Sequence, residues 1–128
     1  MTVRLLLDTN ALLWLVAGDT RLGLQARREV EVAAGLVVSA ASLWEIAIKV
    51  SIGKLAALPG LPAVLAEAGV RRLGIEDEHL RRLESLPWHH RDPFDRLLIA
   101  QAQAEALTVL TADPAFGDYA VPARDARR

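Results

Sequence analysis

The chain alternates short apolar runs with amphipathic stretches along its length. The first run, Val3 to Leu7, is continuously apolar apart from Arg4, the pattern of a strand covered on both faces. A short helix is expected over Ala11 to Ala17, broken by Gly18-Asp19-Thr20. A second helix is expected from Leu22 to Ala34, with Gly35 as its stop. Leu36 to Ser39 reads as a short strand, and a helix runs from Ala40 to Ser51 before Gly53. Leu55 to Pro62 is a proline-containing loop, followed by a short helix over Pro62 to Ala68. Val70 to Ile75 is a candidate strand that Arg71, Arg72 and Gly74 weaken. Glu76 to Leu86 reads as a surface helix and Trp88-His89-His90-Arg91 as a loop. Pro93 to Ala106 is a strong helix, Leu107 to Thr111 a strand, and Tyr119 to Ala123 a last short strand.

Strands alternating with helices imply parallel strands joined by right-handed crossovers, with helices on both faces. The expected fold is a single α/β domain over residues 1–128. It is a three-layer α/β/α sandwich around a central parallel sheet of four or five strands. A length of 128 residues suffices for one real core, and 52% apolar residues argue against disorder.

Charge adds little, because 15 basic and 16 acidic residues leave a net charge of -1. There is thus no global electrostatic case for nucleic acid, and none against a local basic groove. The absence of cysteine excludes disulfides and thiolate metal sites, and fits a cytoplasmic protein. Arg4 and the apolar run Ala11 to Ala17 imitate a secretory signal, but Asp8 and Asn10 interrupt it. No apolar run approaches the ~18 residues that span a bilayer, so no membrane association is expected.

Candidate chemistry lies in the acids that follow the strands. Asp8 ends the first apolar run, where a strand hands over to a helix. Ligands of open α/β sheets bind beyond the carboxyl ends of the strands, although Asp8 equally suits a helix N-cap. Glu45 completes a capping-box pattern with Ser42 and precedes Lys49 by four residues, a helical ion-pair spacing. Its neighbours Leu43, Trp44, Ile46, Ala47 and Ile48 leave little polar helix face, so its carboxylate needs a partner or a metal. In Asp92-Pro93-Phe94-Asp95, Asp92 suits the N-cap and Pro93 the first helical position. Asp95 is then free for function, although a carboxylate in a first helical turn also suits the helix dipole. Asp113 follows the Leu107–Thr111 strand and precedes Pro114, where an N-cap role is again open.

Parallel strands point their carboxyl ends one way, so Asp8, Glu45, Asp95 and Asp113 are expected to converge. Four unpaired carboxylates repel one another, and a hard divalent cation, Mg²⁺ or Mn²⁺, relieves that repulsion. The same arrangement serves phosphodiester cleavage. Adjacent His89 and His90 diverge and lack ligand spacing, so they are set aside as metal ligands. Glu76-Asp77-Glu78 reads as an acidic first helical turn. Trp14 and Trp44 suit a core or an interface, and Trp88 is unassigned. Arg71, Arg72, Arg81, Arg82, Arg91 and Arg96 each suit a solvated surface, while together they could line a nucleic-acid groove.

Four stretches carry a resemblance: Leu5 to Leu15, Val38 to Lys49, His90 to Ala102 and Leu110 to Asp113. In order and spacing the chain resembles the PIN-domain ribonucleases, and among them the VapC-type toxins of type II toxin–antitoxin modules. The resemblance implies a PIN fold and a metal-dependent endoribonuclease. It places Asp8, Glu45, Asp95 and Asp113 on the family's acidic quartet. Thr9, Asn10 and Thr111 fall on the polar positions that orient it. Many sequences with the Asp-Pro-Phe-Asp-Arg signature carry His where this chain has Asn10, and other branches use Asn. The resemblance also implies an RNA substrate, a cognate antitoxin and a homodimer, with higher toxin–antitoxin assemblies open.

Three other readings compete with that one. A housekeeping PIN nuclease would share every motif. A phosphotransferase of the haloacid dehalogenase type would use Asp8 as nucleophile, but Asn10 stands where that chemistry needs a second acid. A non-catalytic RNA- or protein-binding module on the same fold would have no need of the intact quartet.

Overall fold

The computed structural model describes residues 3–128. Five strands form one parallel sheet in the order β3-β2-β1-β4-β5. They are β1 (Arg4–Leu7), β2 (Gly35–Ser39), β3 (Val70–Leu73), β4 (Thr108–Thr111) and β5 (Ala123–Asp125). Six helices cover the two faces: α1 (Thr9–Ala17), α2 (Leu24–Val32), α3 (Ala40–Ser51), α4 (Leu61–Glu67), α5 (Asp77–Ser85) and α6 (Pro93–Glu105). A 3₁₀ turn over Pro114–Asp118 links β4 to β5. The architecture is the expected three-layer sandwich.

The central strand explains its own sequence. Leu5, Leu6 and Leu7 are fully buried between β2 and β4. Successive side chains alternate between the faces. Leu7 joins α1, α2, α3 and α4 residues such as Leu12, Ala26, Ile46 and Leu65. Leu6 joins Leu98, Ile99 and Ala102 of α6 and Phe116 on the other face. Burying such a leucine is worth about 2 kcal/mol, so a continuous apolar strand anchors both layers at once.

Several boundaries differ from expectation. The first helix starts at Thr9 because Asp8 caps it, its carboxylate accepting from Ala11 N–H at 2.8 Å. The second starts at Leu24 after Gly23, whose N–H donates to Ala126 O at 2.9 Å. A Cβ on Gly23 would lie 2.0 Å from the Arg128 carbonyl carbon, so this close approach requires glycine. The last strand is Ala123–Asp125 and not Tyr119–Ala123. Tyr119 is instead drawn into the core by its ring, and β5 pairs with β4 through the backbone of Ala123, Arg124 and Asp125, all three exposed. An exposed edge strand carries no apolar signal to read. Among the described residues, no helix is long and apolar enough to cross a membrane.

Candidate functional site

The site lies at the carboxyl edge of the sheet, where β1, β2 and β4 run into their following elements. Asp8 is buried at the end of β1 and continues the sheet, its N–H donating to Leu110 O at 3.1 Å. Capping α1 is therefore compatible with presenting a second carboxylate oxygen to the site. Burial pushes the Asp8 carboxyl up, against the opposing help of the Thr111 hydroxyl and Ala11 N–H. Asp113 and Glu45 push it the same way as burial, which places all three in one field.

Glu45 lies in the middle turns of α3. The helix is capped by Ser39, whose hydroxyl accepts from Ala41 N–H at 3.0 Å, so the Ser42–Glu45 capping box does not form. Ser42 is buried inside the first turn. Glu45 is held from two sides: Thr9 Oγ1 donates to Oε1 at 2.5 Å, and Lys49 Nζ reaches Oε2 at 3.3 Å. The expected spacing to Lys49 is thus used.

Asp92 caps α6, accepting from Phe94 N–H at 2.8 Å and Asp95 N–H at 3.1 Å. That leaves the Asp95 side chain free to point into the cluster. Burial drives its carboxyl up to about 7, with Asp92, Asp8 and Glu45 adding repulsion and His90 opposing. Asp113 follows β4 and caps the 3₁₀ turn, its carboxylate accepting from Ala115 N–H at 2.9 Å, while its own backbone N–H donates to Thr111 Oγ1 at 3.0 Å.

His90, set aside on sequence grounds, enters the cluster. Its Nε2 lies 3.0 Å from Asp95 Oδ2 and 3.0 Å from Asp113 Oδ2. Asp92 N–H donates to Nδ1 at 3.3 Å, which leaves Nε2–H to donate to the two carboxylates. Ligand atoms of His90, Asp95 and Asp113 lie within 4.8 Å of one another. The sequence signal was the position of His90 just before the Asp92 cap. Adjacent histidines without ligand spacing hid it.

The orienting residues divide. Thr9 and Thr111 are buried against Glu45, Asp8 and Asp113. Asn10 is exposed and, among the described residues, bonds none of the acids. Placed one residue into α1, it faces away from the carboxylate that Thr9 meets. The arginines divide too. Arg71, Arg72 and Arg91 are exposed, and Arg81 and Arg82 pair with Glu78. Arg96 overturns the solvated reading: it is 4% exposed and binds the carbonyls of Leu86 and Pro87. Trp14 is core, whereas Trp44 is 59% exposed and packs edge-on against Phe94 with ring centroids 5.3 Å apart.

Among the described residues, Lys49 and His90 are the basic side chains that pair with these four acids, Lys49 with Glu45 and His90 with Asp95 and Asp113. Oxygen donors so crowded suit a hard divalent cation.

No curated protein matches the chain. Solved structures of the same fold do. A chain of VapBC2 from Rickettsia felis, bound to a DNA fragment from their promoter, is 14% identical with a TM-score of 0.73, covering 95% of this chain and 98% of that one. VapBC-1 from nontypeable Haemophilus influenzae is 17% identical with a TM-score of 0.69, covering 98% and 99%. A toxin-antitoxin complex from Klebsiella pneumoniae is 19% identical with a TM-score of 0.59, covering 85% and 86%. At such identities the likeness is one of fold. The family model of the PIN domain matches residues 5–122, from the first buried leucine of β1 to the residue before β5, and so takes in all four clustered acids. The chain belongs to the PIN-domain family.

Proposed function

We propose that this chain is a Mg²⁺- or Mn²⁺-dependent endoribonuclease that acts as the toxin of a type II toxin–antitoxin module. The observation that carries the reading is the convergence of Asp8, Glu45, Asp95 and Asp113 with too few counter-charges. Asp8 and Asp95 are the main cation ligands, and Asp113 and Glu45 complete the set. The donor chemistry fits such an ion, since the acids are oxygen-only and no thiolate is present. When bound, the cation supplies neutralisation of the cluster and Lewis-acid polarisation of a phosphodiester.

The chain's own residues supply position. Thr9 and Lys49 fix both oxygens of Glu45. The Thr111 hydroxyl bonds the Asp8 carboxylate and accepts from the Asp113 backbone N–H, and His90 draws Asp95 and Asp113 towards one point. Carboxylates fixed by such neighbours need little reorganisation when a ligand arrives. Hydrolysis by water should leave a 5′-phosphate and a 3′-hydroxyl. A toxin role implies a cognate antitoxin and a homodimer. Support comes from the fold neighbours, which include VapBC proteins and a toxin-antitoxin complex.

The test is cleavage of total cellular RNA by purified protein, with Mg²⁺ or Mn²⁺ against EDTA and with Asp8→Asn alongside. Metal-dependent cuts lost in a folded Asp8→Asn are expected. An absence of cuts from folded, cation-binding, partner-free protein would refute the nuclease. A housekeeping nuclease would cut equally well. Growth arrest on expression, relieved by a small co-expressed partner, separates the toxin from it.

A further inference from the structure

The loop between α5 and α6 contributes His90 to the cluster, yet it is held more firmly than a connector requires. Buried Arg96 donates to Pro87 O at 2.7 Å, Leu86 O at 3.1 Å and His90 O at 3.4 Å. The Tyr119 hydroxyl donates to Pro87 O at 2.8 Å and accepts from His90 N–H at 2.8 Å. On this braced loop stands Trp88, 76% exposed. One face of its indole rests on the Arg96 guanidinium, whose central carbon is 3.7 Å from the ring centroid. The ring is fixed from beneath, and most of the rest of it is open to water.

An exposed indole loses hydrophobic stabilisation, and fixing it loses side-chain entropy as well. The Arg96 stack repays part of that cost on one face of the ring, while the opposite face stays in water with nothing in the fold to cover it. A ligand with a flat π-face covers it at little further cost, because the platform is already in place when it arrives. Trp88 is two residues from His90, and its ring lies on the residue that follows Asp95. Arg91, exposed in the same loop, makes no ion pair among the described residues and offers a charge to a phosphate.

Resting on the ribonuclease reading, we infer that Trp88 is a stacking platform for an unpaired nucleobase of the RNA. The substrate is then taken as a single-stranded or looped segment, because bases inside a duplex already stack on both faces. Arg96 is a positioning residue: its donors are used on backbone carbonyls, and its remaining face carries the indole.

The experiment measures binding of a labelled random-sequence single-stranded RNA pool by fluorescence anisotropy, using Asp8→Asn protein so that nothing is cut. Adding Trp88→Ala should weaken binding about tenfold, and Trp88→Phe should stay within about threefold of its parent. Trp88→Leu should behave like Trp88→Ala, since it keeps apolar bulk but has no π-face. A blunt duplex of the same length should bind more weakly than the single strand and be indifferent to Trp88. Trp88→Phe keeps a ring on Arg96 and so controls for the fold of the loop, with circular dichroism checking every variant. Full RNA affinity in both Trp88→Leu and Trp88→Ala would overturn the platform. No RNA binding by the folded Asp8→Asn parent would instead overturn the ribonuclease reading itself.

Discussion

Asp95→Asn should stabilise the cation-free protein at neutral pH while abolishing cleavage. The Asp95 carboxyl, ordinarily near 3.8, is driven up to about 7 by burial and by Asp92, Asp8 and Glu45. A raised carboxyl means that the folded state binds the proton more tightly than the unfolded chain. Stability contributed by that proton is full below 3.8, falls as pH rises, and is wholly lost above about 7. The span from 3.8 to about 7 corresponds to about 4 kcal/mol. The side chain keeps 22% of its surface exposed, and solvent screening lowers the expected effect to about 2 kcal/mol. Asn has the same shape, still accepts from His90 Nε2–H, and carries no charge at any pH. The variant's advantage should therefore grow between pH 4 and about 7 and stay level above it. Urea unfolding in EDTA at a series of pH values measures this directly. Added Mn²⁺ should then reverse the order, because an ion that binds only the folded wild type stabilises it by mass action. An advantage that does not vary with pH, or a variant less stable than wild type at pH 8, would refute the argument that repulsion and burial load this carboxylate.

Further expectations follow the same geometry. Asp8→Asn should lose RNA cleavage and melt within about 1 kcal/mol of wild type, since Asn is as good an N-cap, and thermal unfolding checks the second half. Arg96→Ala should cost about 3 kcal/mol in urea unfolding, because it strips the Leu86, Pro87 and His90 carbonyls of a buried donor. Arg96→Lys should recover little of that, as an ammonium cannot span the carbonyls and carry an indole together. Thr9→Val should leave Glu45 tied only to Lys49 and weaken Mn²⁺ binding several-fold by calorimetry, with stability changed by about 1 kcal/mol or less. Unaltered Mn²⁺ affinity would remove Thr9 from the orientation of Glu45.

The sequence by itself determined the layered fold, because its signals are local. A leucine run covered on both faces reads as a central parallel strand whatever packs on it, and Asp92-Pro93 starts a helix through its own backbone chemistry. The acids at strand ends were legible for the same reason: parallel strands carry their ends to one edge. The remaining features are decided by contacts between residues far apart in the chain. His90 joins the site only because the α5–α6 loop folds back over Asp113, 23 residues later. Arg96 is buried because carbonyls from that loop and the Tyr119 hydroxyl collect around it. Glu45 finds Thr9 across 36 residues, while Asn10 beside Thr9 is turned to solvent. β5 is a strand because β4 offers it a free edge, not because Ala123-Arg124-Asp125 favours one. Periodicity records which face of an element is buried. It does not record which polar atoms of distant elements meet there, and only the tertiary structure settled that at this sheet edge.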